Sequence, residues 1–153
     1  MNGTATPEST VETDVIQLVT FRVGNVLLGI DISYVQEINR HLDVTRVPGA
    51  DRSIMGVVNL RGDVVTILDP RRIFGLSETA TAARCRNLVL RIGNERIGVM
   101  VDEVADILHV HGDDLVSRPS NVESVDSCFI DSVYLHDDDI VVILDPHRLV
   151  DTN

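Results

Sequence analysis

Residues 63–73 read DVVTILDPRRI, and residues 139–149, 76 positions later, read DIVVILDPHRL. The runs Val64–Leu68 and Ile140–Leu144 are nearly all apolar and rich in β-branched side chains. That pattern predicts buried strands. Each run stops at Asp-Pro, because proline has no N–H to give to a ladder. Pro70 and Pro146 then fit the first turn of a short helix, with Asp69 and Asp145 as caps.

The echo extends in both directions. Residues 20–25, TFRVGN, return as VLRIGN at 89–94, an offset of 69. At that offset Leu28-Gly29-Ile30 meets Ile97-Gly98-Val99, and Val35 and Ile38 meet Val104 and Ile107. The second copy's seven extra residues fall in the polar stretch from His109 to Asp126. Two similar halves in the same order predict two similar subdomains, roughly 15–80 and 85–150, behind an acidic disordered tail at 1–14. Gly24-Asn25 and Gly93-Asn94 are turn dipeptides flanked by apolar alternation, so each half opens with a hairpin. Gly29 and Gly98 fall inside strand patterns and are expected at bulges or barrel corners. Gly56 and Gly62 are expected in tight turns. Helical pattern is scarce: Ser33–Arg40 is expected to make one or two turns, with Tyr34, Val35 and Ile38 as its apolar face. The expected fold is all-β with few short helices: two small five-stranded antiparallel barrels packed together.

Composition agrees and narrows the function. Of 153 residues, 44% are hydrophobic but only 3% aromatic, with no Trp, so the core is built from Val, Ile and Leu, which suit pleated sheets. The net charge is −11 and all thirteen basic residues are Arg. Phosphate backbones and anionic lipid would repel such a chain, which argues against nucleic-acid and membrane-surface roles. No apolar stretch approaches the roughly 20 residues that span a bilayer, and the N-terminus lacks a signal pattern. A cytoplasmic protein is expected. Cys85 and Cys128 have no CxxC spacing and read as reduced thiols.

The first half carries, in order, Gly29-Ile30-Asp31-Ile32, Val35-Gln36-Glu37-Ile38, Arg46-Val47-Pro48, Ile54-Met55-Gly56-Val57-Val58-Asn59-Leu60-Arg61-Gly62 and Thr66-Ile67-Leu68-Asp69. This order and spacing resemble the CheW family over roughly residues 16–150, with Asn-Leu-Arg-Gly the most specific element. The resemblance implies two five-stranded barrels of SH3-like type. It also implies a non-catalytic chemotaxis adaptor that binds the cytoplasmic tip of chemoreceptors and the regulatory domain of the histidine kinase CheA. Such an adaptor is recruited to membrane receptor arrays without inserting into the bilayer. Ser132 stands where the family has a glycine; a serine at positive φ would be strained, so this turn is expected to differ from the family's.

Seven residues form the expected receptor contact: Val35, Glu37, Ile38, Asn59, Leu60, Arg61 and Gly62. The repeat supplies an argument of its own. Asn59-Leu60-Arg61-Gly62 aligns with Leu135-His136-Asp137-Asp138. A turn required only by the fold would be kept in both copies; its loss from one points to a task in the other. The competing reading is plain divergence. Arg61 offers a planar donor fork suited to bidentate pairing with a carboxylate, and Glu37 is the expected partner. Val35, Ile38 and Leu60 are expected to line an apolar groove, or else to be core. No residue is singled out for the kinase.

Other chemistry finds little support. His109, His111, Asp113 and Asp114, or His136 with Asp137 to Asp139, lack EF-hand spacing and a closing Glu, and read as solvated acidic loops. Ser53, Ser117 and Ser132 have no nucleophile elbow, and the glycines are dispersed rather than gathered into a phosphate loop. Neither an enzyme nor a cofactor is expected. The alternatives are an adaptor of a parallel kinase pathway, such as twitching motility, and a metal- or small-molecule-binding β protein.

Overall fold

A computed structural model describes residues 15–40, 43–76, 85–117 and 127–151. The expected acidic tail, 1–14, and residues 118–126 of the polar stretch lie outside them. The strands are β1 (Val15–Val23), β2 (Val26–Asp31), β3 (Val35–Asn39), β4 (Ile54–Leu60) and β5 (Asp63–Leu68), then helix α1 (Pro70–Phe74). The second copy supplies β6 (Arg86–Ile92), β7 (Glu95–Val101), β8 (Glu103–His111), β9 (Val116–Ser117), β10 (Ile130–His136), β11 (Asp139–Leu144) and helix α2 (Pro146–Asp151). Among the described residues the fold is all-β with two short α-helices, as expected.

Local chemistry sets the elements. Gly24 and Gly93, at φ 62° and 63°, head the two-residue turns that close β1–β2 and β6–β7. Asp69 Oδ1 accepts from Arg71 N–H at 3.1 Å, and Asp145 Oδ1 from His147 N–H at 3.1 Å, so both Asp-Pro steps cap helices as read. Ser33–Arg40 is not helical. Asp31 Oδ1 accepts from Ser33 N–H at 2.9 Å, which fixes a single 3-10 turn over Ile32–Tyr34. The chain then extends as β3, with burial alternating residue by residue.

The sheets give the two packed β units expected, but with a different strand make-up. One has six strands in the order β9-β10-β11-β2-β1-β8, the other five in the order β3-β6-β7-β5-β4. Neither is a contiguous half, so the boundary near residues 80–85 does not divide the two units. Hairpin β1–β2 of the first copy lies in the sheet of the second, and hairpin β6–β7 of the second lies in the sheet of the first. Each exchanged hairpin docks in parallel, Val141–Ile143 against Leu27–Gly29 and Thr66–Leu68 against Ile97–Val99. The sheets are therefore mixed rather than antiparallel. The sixth strand is the two-residue β9; its counterpart in the other sheet is the isolated bridge Thr45↔Val57.

Parallel docking explains the long apolar runs. Along β11, Val142 and Leu144 face a core shared by the two sheets, while Val141 and Ile143 face a smaller cluster with Leu18, Leu27 and Val110. The five-stranded sheet has the matching cluster, Val58, Leu60, Val65, Ile67 and Val89. The shared core joins Phe21, Leu28 and Ile30 to Leu88, Leu90, Val99 and Phe74, and Phe74 meets Phe129 edge-on at 5.3 Å. Gly29 and Gly98 mark neither bulge nor corner. They sit at the parallel contacts, where an added Cβ would lie 3.0 Å from Val141 Cγ1 or 2.4 Å from Ile67 Cδ1. Gly56 is in strand β4, not a turn; at φ 155° its Cβ would lie 2.3 Å from the Thr45 carbonyl oxygen. Its twin Ser132 carries no positive φ and no strain, and its hydroxyl donates to Asp131 Oδ2 at 3.2 Å.

Asp102 stitches the crossing from β7 to β8. Its N–H donates to Arg22 O at 2.9 Å, its Oδ2 accepts from Gly24 N–H at 2.7 Å, and its Oδ1 pairs with the buried Arg71 of α1.

Two outcomes follow. Residues 1–80 and 81–153, made separately, should each lack a cooperative thermal transition, because each retains a hairpin whose sheet is in the other piece; mixing should restore it. Gly56→Ala drives a Cβ into backbone and should cost about 2 kcal/mol, lowering the melting temperature by roughly 4–8 °C. Gly29→Ala, meeting only a side chain, should cost less by the same melt.

Candidate functional site

Strand β3 forms one margin of the five-stranded sheet and β4 the other. The β4–β5 turn is Arg61-Gly62, closed by the pair Leu60–Asp63. Both central residues have positive φ, 52° and 91°, the combination of a type I′ turn, which matches strand twist and favours glycine at the second place. Asn59 Oδ1 accepts the Gly62 N–H at 2.9 Å, so the turn's own backbone is tied to the strand before it. In the other copy, Asp137 has φ 54° but Asp138 has no positive φ, and Leu135 stands where Asn59 does. The two turns differ in backbone as well as in side chains.

Arg61 and Glu37 meet fork to fork. Nη1 donates to Oε2 at 2.8 Å and Nη2 to Oε1 at 2.7 Å. The pair joins opposite margins of one sheet, so the sheet curls to bring β3 to the turn. Thr45, downstream of β3, pairs with β4 through Val57 and links the same margins elsewhere. Glu37 is the sheltered member, its side chain 18% exposed against 68% for Arg61. The Arg61 hydrogen bonds hold the Glu37 carboxyl below the ordinary glutamate range, opposed by some desolvation. The Arg61 charge, the Asn39 side chain and the charge of Arg96 add in the lowering direction. Glu37 in turn pushes the Arg61 guanidinium upward. An exposed ion pair is worth little to stability; bidentate geometry makes this one specific.

The seven expected residues thus divide. Glu37, Asn59, Arg61 and Gly62 come together. Val35, Ile38 and Leu60 do not share one surface. Leu60 is 7% exposed in the five-stranded sheet's own cluster, Val35 is half-buried against the shared core, and Ile38 is 44% exposed. Val35 and Leu60 thus take the core alternative, and Leu60 supports the turn from beneath. The sequence reading missed Asp63 and Arg96, an ion pair beside the turn, and Val64, which pairs with Asn59 and is exposed. Period-two alternation along β5 could have flagged Val64. Arg96 could not have been found without the hairpin exchange.

The acidic histidine stretches are otherwise engaged. His109 Nε2 lies 2.9 Å from Gln17 Nε2, and His136 stacks on Tyr134 at 6.2 Å. Among the described residues, no group of three or more His, Cys, Asp or Glu could hold a metal ion, and no helix is long and apolar enough to cross a membrane. Burial pushes the Cys85 thiol up, and Asp102 adds to the rise.

The lowered Glu37 carboxyl fixes the direction of a pH effect. The pairing contributes fully above the ordinary value of 4.5 and is lost as pH falls through the lowered one. In a carboxyl-carbon NMR titration Glu37 should titrate below an ordinary glutamate, and Arg61→Gln should move it upward. A Glu37 midpoint insensitive to Arg61→Gln would show that the pair does not form in solution.

The geometry can be set beside known proteins. The sequence model of the CheW-like domain matches residues 17–153. The "Chemotaxis protein CheW" of Treponema pallidum is 29% identical over 143 residues, covering 91% of this chain and 84% of its own. "Protein FrzA" of Myxococcus xanthus is 32% identical over 99 residues, covering 65% of this chain and 62% of its own. The crystal structure of the scaffolding protein TtCheW from Thermoanaerobacter tengcongensis superposes with a TM-score of 0.80 at 25% identity, covering 85% of this chain and 84% of that one. With nearly all of its described strands inside the family match, this chain belongs to the CheW family of chemotaxis adaptors.

Proposed function

We propose that this protein is a non-catalytic coupling adaptor that binds the cytoplasmic tip of chemoreceptors and the histidine kinase CheA, holding both in one assembly at the membrane. The carrying observation is the Glu37–Arg61 fork, which ties β3 to the Asn-Leu-Arg-Gly turn in one sheet and has no counterpart in the other. The twin positions are Asp106 and Asp137, two carboxylates. A duplicated scaffold that keeps an arginine at this turn position in one copy only has a surface suited to a partner that the other copy does not bind. The receptor contact in this reading comprises Glu37, Ile38, Asn59, Arg61 and Gly62 directly, with Val35 and Leu60 supporting them from within. Signal passes by binding alone: no reacting group is required, only a fixed spacing between receptor and kinase. Positioning of that kind needs a rigid turn, and the Asn59–Gly62 bond with the Arg61 fork supplies one.

A second reading keeps the adaptor and changes the circuit. The match to FrzA supports it, since that relative carries a name other than CheW. The receptor and kinase would then belong to a parallel pathway, with the same surface engaged.

Co-sedimentation with receptor-bearing membranes and CheA tests the proposal. The wild-type chain should pellet with both, and Arg61→Glu and Glu37→Arg should each lose receptor binding while melting near the wild-type temperature. The double exchange, which rebuilds the pair with reversed polarity, should recover part of the binding. Undiminished pelleting by Arg61→Glu would overturn the receptor assignment; additive losses in the double exchange would overturn the pair.

A further inference from the structure

Arg61 is not the sole cation at its turn. Asp63, which closes the turn opposite Leu60, is ion-paired with Arg96, Nη2 to Oδ2. Arg96 lies on β7, a strand of the second copy that the hairpin exchange inserts between β6 and β5. Its side chain is 19% exposed, so it is better fixed than Arg61. Two carboxylates, Glu37 and Asp63, and two guanidiniums, Arg61 and Arg96, thus share one corner of the sheet. Arg61 is two residues from Asp63 in sequence and 24 from Glu37, so the nearby carboxylate is a ready competitor for its fork.

We propose that Arg96 is a positioning residue: by occupying Asp63 it leaves Arg61 committed to Glu37, and so fixes the Asn-Leu-Arg-Gly turn against β3. As a statement about receptor binding, this rests on the reading given under Proposed function. Charge accounting supports it. With Arg96 present each carboxylate has its own cation. Without it, two carboxylates share one exposed guanidinium, and the pairing splits between them. Arg91, directly across from Arg96 on β6, supplies a like charge that favours turning Arg96 toward Asp63. The other sheet provides the contrast. The twin of Arg96 is Leu27, buried in that sheet's own cluster, and the twin of Asp63 is Asp139, which Arg22 approaches at 3.7 Å. That turn has no arginine of its own at the place of Arg61, so no fork there has to be kept from a competing carboxylate.

The test uses the full-length chain with Arg96→Gln, Asp63→Asn and both together. NMR follows the Glu37 carboxyl titration and the Arg61 Nε–H signal. In Arg96→Gln, the Glu37 midpoint should rise and the Arg61 signal should broaden, with the melting temperature held. Adding Asp63→Asn removes the competitor and should return both signals towards wild type. Receptor co-sedimentation should weaken by up to about fivefold in Arg96→Gln, the span of an exposed pair, and recover in the double variant. Unchanged NMR signals in Arg96→Gln would overturn the inference. A rise in the Glu37 midpoint that Asp63→Asn does not reverse would also overturn it, leaving Arg96 with only a direct field on Glu37. The receptor reading fails separately: Arg61→Glu that still pellets with receptors refutes that reading, while the NMR signals continue to decide what Arg96 does.

Discussion

The structure depends on two parallel contacts, β2 against β11 and β7 against β5. Each places a glycine where a strand from the opposite half must come close, Gly29 under Val141 and Gly98 under Ile67. Those contacts carry the first hairpin of each copy into the sheet of the other. Neither sheet is complete without the exchange, and the apolar faces left between them form one shared core rather than two separate ones. Asp102 marks the crossing, holding the β1–β2 turn through Gly24 and helix α1 through Arg71. Its twin position is Ser33, so this stitch too is made once, not twice.

Much of this was legible because turns and helix caps are local. Gly24 and Gly93 need positive φ, and Asp69 and Asp145 need only a backbone N–H two residues on; a short window of sequence contains all of that information. The buried runs were legible for the same reason. What a window does not contain is the partner of a strand. The repeat showed that residues 20–30 resemble 89–99, but resemblance between two hairpins is equally consistent with keeping them or exchanging them. Periodicity likewise misread residues 35–39. Val35 and Ile38 are three apart and suggest a helix, yet Val35, Glu37 and Asn39 alternate with Gln36 and Ile38, and the sheet selects the period of two.

The site shows the same division. The Glu37–Arg61 pair was readable from chemistry, a fork beside a carboxylate within one copy. Leu60 was open between groove and core, because the turn's conformation, not its composition, decides which neighbour points inward: Asn59 faces out beside Val64, and Leu60 faces the cluster with Val65 and Ile67. Ser132, in the family's glycine place, was expected to mark a turn that differs, and its backbone does differ from that of its twin Gly56. Gly56 is required by the Thr45 carbonyl pressing on it, whereas Ser132 faces Ser117 across β9 and adopts no positive φ.

Duplication explains why such a protein can hold an asymmetric surface at little structural cost. Both hairpins, β4–β5 and β10–β11, share a bulge at the same place, between Ile54 and Gly56 and between Ile130 and Ser132, and each closes on a two-residue turn. The framework is therefore maintained by strand pairing and core, and the turn residues are free to differ. One turn has Arg61 with Glu37 opposite it; the other has Asp137 with Asp106 at the matching place. In a chain of net charge −11, a carboxylate-rich partner would be repelled by most of the surface. A guanidinium fixed at one corner by its own carboxylate avoids that repulsion without becoming a general anion attractor, because its fork is already occupied. The turn then offers a partner shape and backbone rather than unpaired charge. That is the property an adaptor needs if it is to hold one partner in register without also binding every acidic surface it meets.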